Sequence, residues 1–199
     1  MFDFTKVQYS DCENDKFAIE SFELTESQIR MIELRDRMHG GYESHGILPG
    51  KYARLVEKKS WIRETVMSNT PMETETNKDV ISEARGDVLI AGLGMGLVVL
   101  GIQDKPEVTS ITIIEKHQEV IELVKPQLAL NSKVNIIVND IFDFKTTNKY
   151  DTIYFDIWNN ICTDEWEGIK KLKRTFRKNL NKNGWMGVWR NNDFKYGLR

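Results

Sequence analysis

Residues 88–96 read Val-Leu-Ile-Ala-Gly-Leu-Gly-Met-Gly, a strand-sized apolar run that breaks into three alternating glycines. An apolar run without alternation suits a strand buried on both faces of a parallel sheet. Gly92, Gly94 and Gly96 then allow a tight turn and a close approach of backbone to ligand, where any Cβ would clash. The segment points to an α/β sheet with a small-molecule site at the end of this strand.

Three further apolar runs end on acids. Residues 110–114 are closed by Glu115, about twenty residues past the glycines, where α/β nucleotide sites place a carboxylate to accept ribose hydroxyls. Residues 133–138 are closed by Asn139 and Asp140, and residues 150–155 by Asp156. Each acid thus falls at the carboxyl end of an expected parallel strand, the edge at which open α/β sheets bind ligands. Helical patterns lie between the strands. Residues 97–102 are apolar on every side, and residues 117–124, opening at His117, precede Pro126. Thr163 is placed to cap a third helix, with Asp164 and Glu165 in its first turn and Ile169, Leu172, Phe176 and Leu180 inward. Asn183-Gly184 is expected to turn the chain into a fifth strand over 185–189, with Trp185 and Trp189 on one core-facing side. Strands alternating with helices predict a parallel sheet covered on both faces.

The spacing of the glycines separates the nucleotide-binding readings. The dinucleotide fingerprint G-x-G-x-x-G would need a glycine where Leu97 stands, and no Gly-Lys-Ser/Thr follows to make a P-loop. The G-x-G-x-G that remains resembles motif I of the class I S-adenosylmethionine-dependent methyltransferases. The resemblance extends over about residues 80 to 190. In its details it is most similar to the spermidine synthase-like branch: Ile-Ile-Glu-Lys-His-Gln-Glu-Val-Ile-Glu from Ile113, Asn-Asp-Ile-Phe-Asp-Phe from Asn139, and Tyr-Asp-Thr-Ile-Tyr-Phe-Asp ending at Asp156. It implies a Rossmann-like methyltransferase fold, mostly parallel, with helices on both faces, and S-adenosylmethionine as the cofactor. By this resemblance Gly92, Gly94 and Gly96 pass beneath the methionine part and Glu115 holds the ribose. Asp140 accepts from the adenine amino group, Ile141 covers the ring, and Asp156 stands beside the departing methyl or alkyl group.

The chain departs from that branch after its fourth strand. Polyamine synthases continue there with a second aspartate and a proline, whereas this chain runs Asp156-Ile157-Trp158-Asn159-Asn160. A diamine calls for paired carboxylates, because a desolvated cation is costly without a counter-charge, so Asn159 argues against aminopropyl transfer. The favoured reading is methyl transfer to a small or peripheral acceptor. Aminopropyl transfer, cleavage of the cofactor without an acceptor, and a non-catalytic cofactor-binding protein stand as alternatives. Asp156 is open to three roles: general base, electrostatic support of a sulfonium, or cap of a following turn. Trp158 and Asn159 are the expected acceptor-pocket residues, although Trp158 equally suits a large side chain covering the sheet edge.

Upstream the texture changes. A break over residues 70 to 86, with a charged stretch from Glu73 to Lys78, divides an N-terminal α+β cap, residues 1–75, from a cofactor-binding domain, residues 76–199. In the cap, Thr25 with Gln28 reads as a helix start and Gly40-Gly41 as its end, while residues 52–56 and 62–67 alternate as a hairpin. The spermidine synthase-like resemblance implies that this cap leans over the crevice. At 199 residues and a formal net charge of -2, nothing global calls for nucleic acid or an anionic membrane. The basic residues from Lys170 to Lys182 read as a solvated helix face, without a recognition module. No apolar stretch is long enough to span a bilayer, and the N-terminus has no signal-peptide pattern. Cys12 and Cys162, far apart, suit reduced thiols in a cytoplasm. His39 and His45 match no metal spacing, so no metal is expected. Oligomeric state is not encoded in any recognisable pattern.

Overall fold

A computed structural model describes residues 2–39, 44–158 and 165–190. Two sheets carry the architecture. The first is antiparallel, four strands in the order β1-β2-β3-β4: Cys12–Glu13, Phe17–Leu24, Gly50–Lys59 and Ile62–Ser68. Helix α1, Glu26–His39, connects β2 to β3. Its start is the expected capping box, in which the Thr25 amide donates to Gln28 Oε1 at 2.9 Å and the Gln28 amide donates to Thr25 Oγ1 at 3.4 Å.

The expected hairpin is β3 and β4. Strand β2 is an addition to the sequence reading, although Phe17–Leu24 carries its own signal: an apolar start followed by alternating exposure. The hairpin contains a register shift beside Leu55/Val56, where Leu55 faces Met67 but Val56 faces Thr65. Val66 is the extra residue of this bulge, and Val66 and Met67 both reach the cavity described below.

Two short helices follow, α2 (Pro71–Thr76) and α3 (Lys78–Glu83). The stretch from Glu73 to Lys78, which reads in sequence as a charged boundary, is therefore helical, and it buries Glu73 and Asn77. The second sheet then forms, all five strands parallel in the order β7-β6-β5-β8-β9. These are β5 Gly86–Ala91, β6 Val108–Glu115, β7 Val134–Val138, β8 Tyr150–Phe155 and β9 Leu180–Val188. Helix α4 (Leu97–Ile102) joins β5 to β6, α5 (Gln118–Val124) joins β6 to β7, and α6 (Glu165–Phe176) precedes β9. The fold is α/β, as the sequence predicts.

The unbroken apolar character of β5 has a direct structural use. Val88 and Ile90 point into one apolar cluster with α3, α4 and α5, while Leu89 and Ala91 point into another with α6. Burying each of the larger side chains contributes about 1.5–3 kcal/mol, so neither face tolerates a polar residue. The first cluster also takes in Phe17, Ile19, Ala53 and Leu55 of the antiparallel sheet. That sheet is held beside α5, where Asn14 Nδ2 donates to the Glu119 carbonyl at 2.9 Å and the Phe17 ring lies 5.1 Å from His117.

Strand β9 differs from the expected turn and strand. It starts at Leu180, and Asn183 lies inside it with φ of 68°, so Asn183-Gly184 forms an irregularity against Asp151 and Thr152 of β8 rather than a turn before the strand. Leu180, expected on the inward face of α6, instead opens β9, because the helix ends at Phe176 and residues 177–179 tighten into a 3-10 turn. Trp185 and Trp189 both join the core side, as expected. The proposed cap Thr163, together with Asn159 and Cys162, lies outside the described residues.

Candidate functional site

The strand order reverses between β5 and β8, which makes a crevice at the carboxyl ends of these two strands. A cavity of about 400 Å³ opens there, a size that suits a small-molecule ligand. It is bordered by Gly92, Gly94, Glu115, Asp140, Ile141, Asp156 and Trp158, so residues spread over 67 positions of sequence meet at one place.

The glycine turn is tied down on several sides. The Gly92 amide donates to the Ile114 carbonyl of β6, and the Asp156 amide donates to the Ala91 carbonyl of β5, each at 2.8 Å. Gly92 has φ of 96°, and a Cβ there would run into the backbone oxygen of Asp156. This glycine is thus demanded both by its left-handed conformation and by the close approach of β8. Gly94 also bears a positive φ, but what stands over it is Met67 of β4. The Met95 amide donates to Met67 Sδ at 2.9 Å, and Tyr9 Oη donates to the Met95 carbonyl at 2.5 Å. Two side chains from the N-terminal part of the chain therefore grip the turn. Gly96 does not border the cavity. It precedes α4, and a Cβ on it would meet Leu128.

Glu115 is 7% exposed, with both oxygens engaged. Oε2 accepts from the Leu93 amide and Oε1 from the His117 amide, each at 2.8 Å. The carboxylate is locked in one orientation while keeping lone pairs for a ligand's hydroxyls. Asp140 accepts from the Phe142 amide at 2.9 Å and pairs with Lys116 at 3.0 Å, and these contacts hold its carboxyl below the ordinary carboxylate range. Ile141 is buried beside it. Trp158, 9% exposed, packs in the cluster with Ile169 and α6 and also borders the cavity.

Asp156 behaves differently from the other two acids. Among the described residues none donates a hydrogen bond to its carboxylate, and burial pushes its carboxyl up to about 7. A second such acid borders the same cavity. Glu73 of α2, 5% exposed, is pushed up to about 8, first by burial and then by the charge on Asp156; the Ser68 backbone amide and Arg190 oppose the rise. Its helix is pinned to the sheet. Tyr154 Oη donates to Asn77 Oδ1 at 2.8 Å, Asn77 Nδ2 donates to the Glu73 carbonyl at 2.9 Å, and Trp189 Nε1 donates to Thr76 Oγ1 at 3.1 Å.

No protein-family model matches the chain, and no curated protein matches it. Solved structures with a similar fold include the N-methyltransferase NodS from Bradyrhizobium japonicum WM9 in complex with S-adenosyl-L-homocysteine. It is 18% identical over 58% of this chain and 60% of its own, with a TM-score of 0.47. A DhpI–SAH complex is 19% identical over 58% of this chain and 54% of its own, with a TM-score of 0.45. Coclaurine N-methyltransferase bound to N-methylheliamine and SAH is 18% identical over 59% and 33%, with a TM-score of 0.43. The chain spans less than two thirds of each of these proteins, and the similarity is to their fold alone.

Glu73, Met67, Phe142 and Trp189 also border the cavity, and the sequence did not mark them as site residues. Glu73 is hidden in a run of charged residues that reads as solvated, and only its packing shows that it is not. Met67 carries no sequence signal beyond strand alternation. Among the described residues no group of three His, Cys, Asp or Glu side chains is arranged to hold a metal, and no helix is long and apolar enough to cross a membrane.

Proposed function

We propose that the chain is an S-adenosylmethionine-dependent methyltransferase acting on a small or peripheral acceptor. One observation carries the reading: Gly92, Glu115, Asp140 and Asp156, from the ends of four adjacent parallel strands, border a single cavity at the point where the strand order reverses. The residues fit such a cofactor. Glu115 would hold ribose hydroxyls through its free lone pairs, and Asp140 with Ile141 would receive the adenine. Gly92 and Gly94 would leave backbone surface for the amino-acid end, beside Met67. The cofactor supplies a methyl group already activated on a sulfonium, so the chain's own work is alignment and, at Asp156, acceptance of one proton from the acceptor. Residues 1–75 act as the cap over this site, since β3 and β4 contribute Leu55, Val66 and Met67 to its wall.

Glu115→Ala tests the cofactor site. Loss of charge-assisted bonds to two hydroxyls is expected to weaken S-adenosylmethionine binding by about 2 to 4 kcal/mol in calorimetry. Unchanged affinity in a folded variant would remove Glu115 from the site. Aminopropyl transfer is a second reading, favoured by Glu73. It supplies from α2 the second carboxylate that Asn159 denies to the loop after β8, and preferential binding of decarboxylated S-adenosylmethionine would promote it.

A further inference from the structure

Six carboxylates among the described residues border the cavity, against Lys116 and His117 as the only basic side chains in its wall. Most of these acids already have work or solvent. Asp140 is taken by Lys116 and the Phe142 amide, Glu115 by two backbone amides, and Glu57 by Lys59 at 3.3 Å. Glu73 and Asp156 do not fit that pattern. Glu73 is nearly inaccessible, and against its burial it has the Ser68 backbone amide, the charge of Arg190 and Asn77 Nδ2 at a long 3.4 Å from Oε2, which together leave its carboxyl raised. Asp156 points a carboxylate without a donor among the described residues into the same space.

We propose that Glu73 and Asp156, between the aromatic walls of Trp158 and Trp189, form a subsite for the ammonium group of an amine acceptor with an apolar body. As the acceptor's place it rests on the methyl-transfer reading above; as a site for an ammonium group it stands on the cavity alone. A buried Glu73 facing the half-buried Asp156 carboxylate, with the charge only partly offset by Arg190, is costly, and the protein relieves the cost by keeping a proton on the pair near neutral pH. A ligand ammonium does the same by charge neutralisation, with three N–H donors for acceptor oxygens that have few partners. The aromatic faces add attraction for the cation and contact for its hydrocarbon part. Arg190 offsets only part of the charge on Glu73, and its guanidinium lies 5.3 Å from the Trp189 ring. When the bound ammonium loses a proton to become a free amine, the ionised carboxylate of the pair gains that proton, so charge and protons balance within the subsite.

The test is binding by the whole 199-residue chain without cofactor, followed by calorimetry and by the indole resonances of Trp158 and Trp189, with phenethylamine as probe. Its neutral analogue 2-phenylethanol is the control. Phenethylamine is expected to bind at least about tenfold more tightly than the alcohol, the scale of a charge-assisted bond. Glu73→Gln is expected to remove that tenfold preference while S-adenosylhomocysteine affinity stays within about threefold. Asp156→Asn serves as the second variant should the first fail to fold, with the same loss expected. Equal binding of amine and alcohol would overturn the proposal. So would a Glu73→Gln variant that keeps the preference, or one that loses affinity for S-adenosylmethionine but not for its thioether product, which would assign the charge to the sulfonium. Amine binding in a protein that ignores S-adenosylmethionine would refute the methyl-transfer reading and leave the ammonium subsite standing.

Discussion

Replacing Glu73 by glutamine should change how the protein's stability depends on pH, and the direction follows from where the side chain sits. In the folded state the Glu73 carboxyl is held at about 8, against an ordinary value of 4.5, chiefly by burial. The folded state therefore binds this proton more tightly than the unfolded chain does. The stability it contributes is complete below about pH 4.5 and is lost as pH rises towards 8, because the unfolded chain ionises freely while the folded one resists. At about 1.4 kcal/mol for each power of ten, the gap between the two values sets a ceiling of about 5 kcal/mol. Relaxation of the cavity wall toward water lowers the expected loss between pH 5 and 8.5 to about 2 to 4 kcal/mol. Glu73→Gln preserves shape and carries no titratable group, so wild type should lose that amount relative to the variant over this range. Urea unfolding at pH 5, 6.5 and 8.5 measures it, provided the denaturant slope is the same for both proteins. A difference that stays constant across the three pH values would show that Glu73 is solvated, and the buried pair would have to be abandoned.

Other outcomes follow from the same geometry. Gly92→Ala forces a Cβ against the Asp156 carbonyl at a positive φ, so thermal unfolding should report a loss of at least about 2 kcal/mol; an unshifted transition would mean that β5 and β8 can part at their ends. Met67 stands over Gly94, so Gly94→Ala should cost less in a Met67→Ala background, with a coupling of about 1 kcal/mol or more in a double-mutant cycle; additive effects would refute the contact. Asp156→Asn should keep cofactor affinity within a few fold while single-turnover methyl transfer falls roughly a hundredfold, the scale of a lost general base. Equal rates in that assay would take the proton-accepting role away from Asp156.

The legible part of this protein is the part in which sequence neighbours do the same job. A strand buried on both faces is largely apolar, so the apolar runs in β5, β6 and β8 stand out, and the residue at which each run stops falls at the carboxyl end of its strand. That logic brings Gly92, Glu115, Asp140 and Asp156 to one place without three-dimensional information. It also over-assigns. Gly96 follows the same spacing, yet it meets Leu128 rather than the cavity. The illegible part is what arrives from elsewhere in the chain. Glu73 lies among charged residues, and its burial depends on α2 being pinned by Tyr154 through Asn77 and by Trp189 through Thr76, contacts spanning more than seventy positions. Met67 reaches the glycine turn because a bulge at Val66 re-aims the strand. Asn183-Gly184 has the composition of a turn, but pairing with β8 keeps the chain extended around it, an example of tertiary context overriding local preference.

The cavity at the β5–β8 reversal is expected to bind S-adenosylmethionine. A crystal structure of the protein with S-adenosylhomocysteine, at a concentration that calorimetry shows to be saturating, tests it most directly. The ribose is expected on Glu115, the adenine against Asp140 and Ile141, and the sulfur facing Asp156 across the Gly92 turn. Ligand bound at any other place, or no binding by calorimetry to a folded protein, would contradict it.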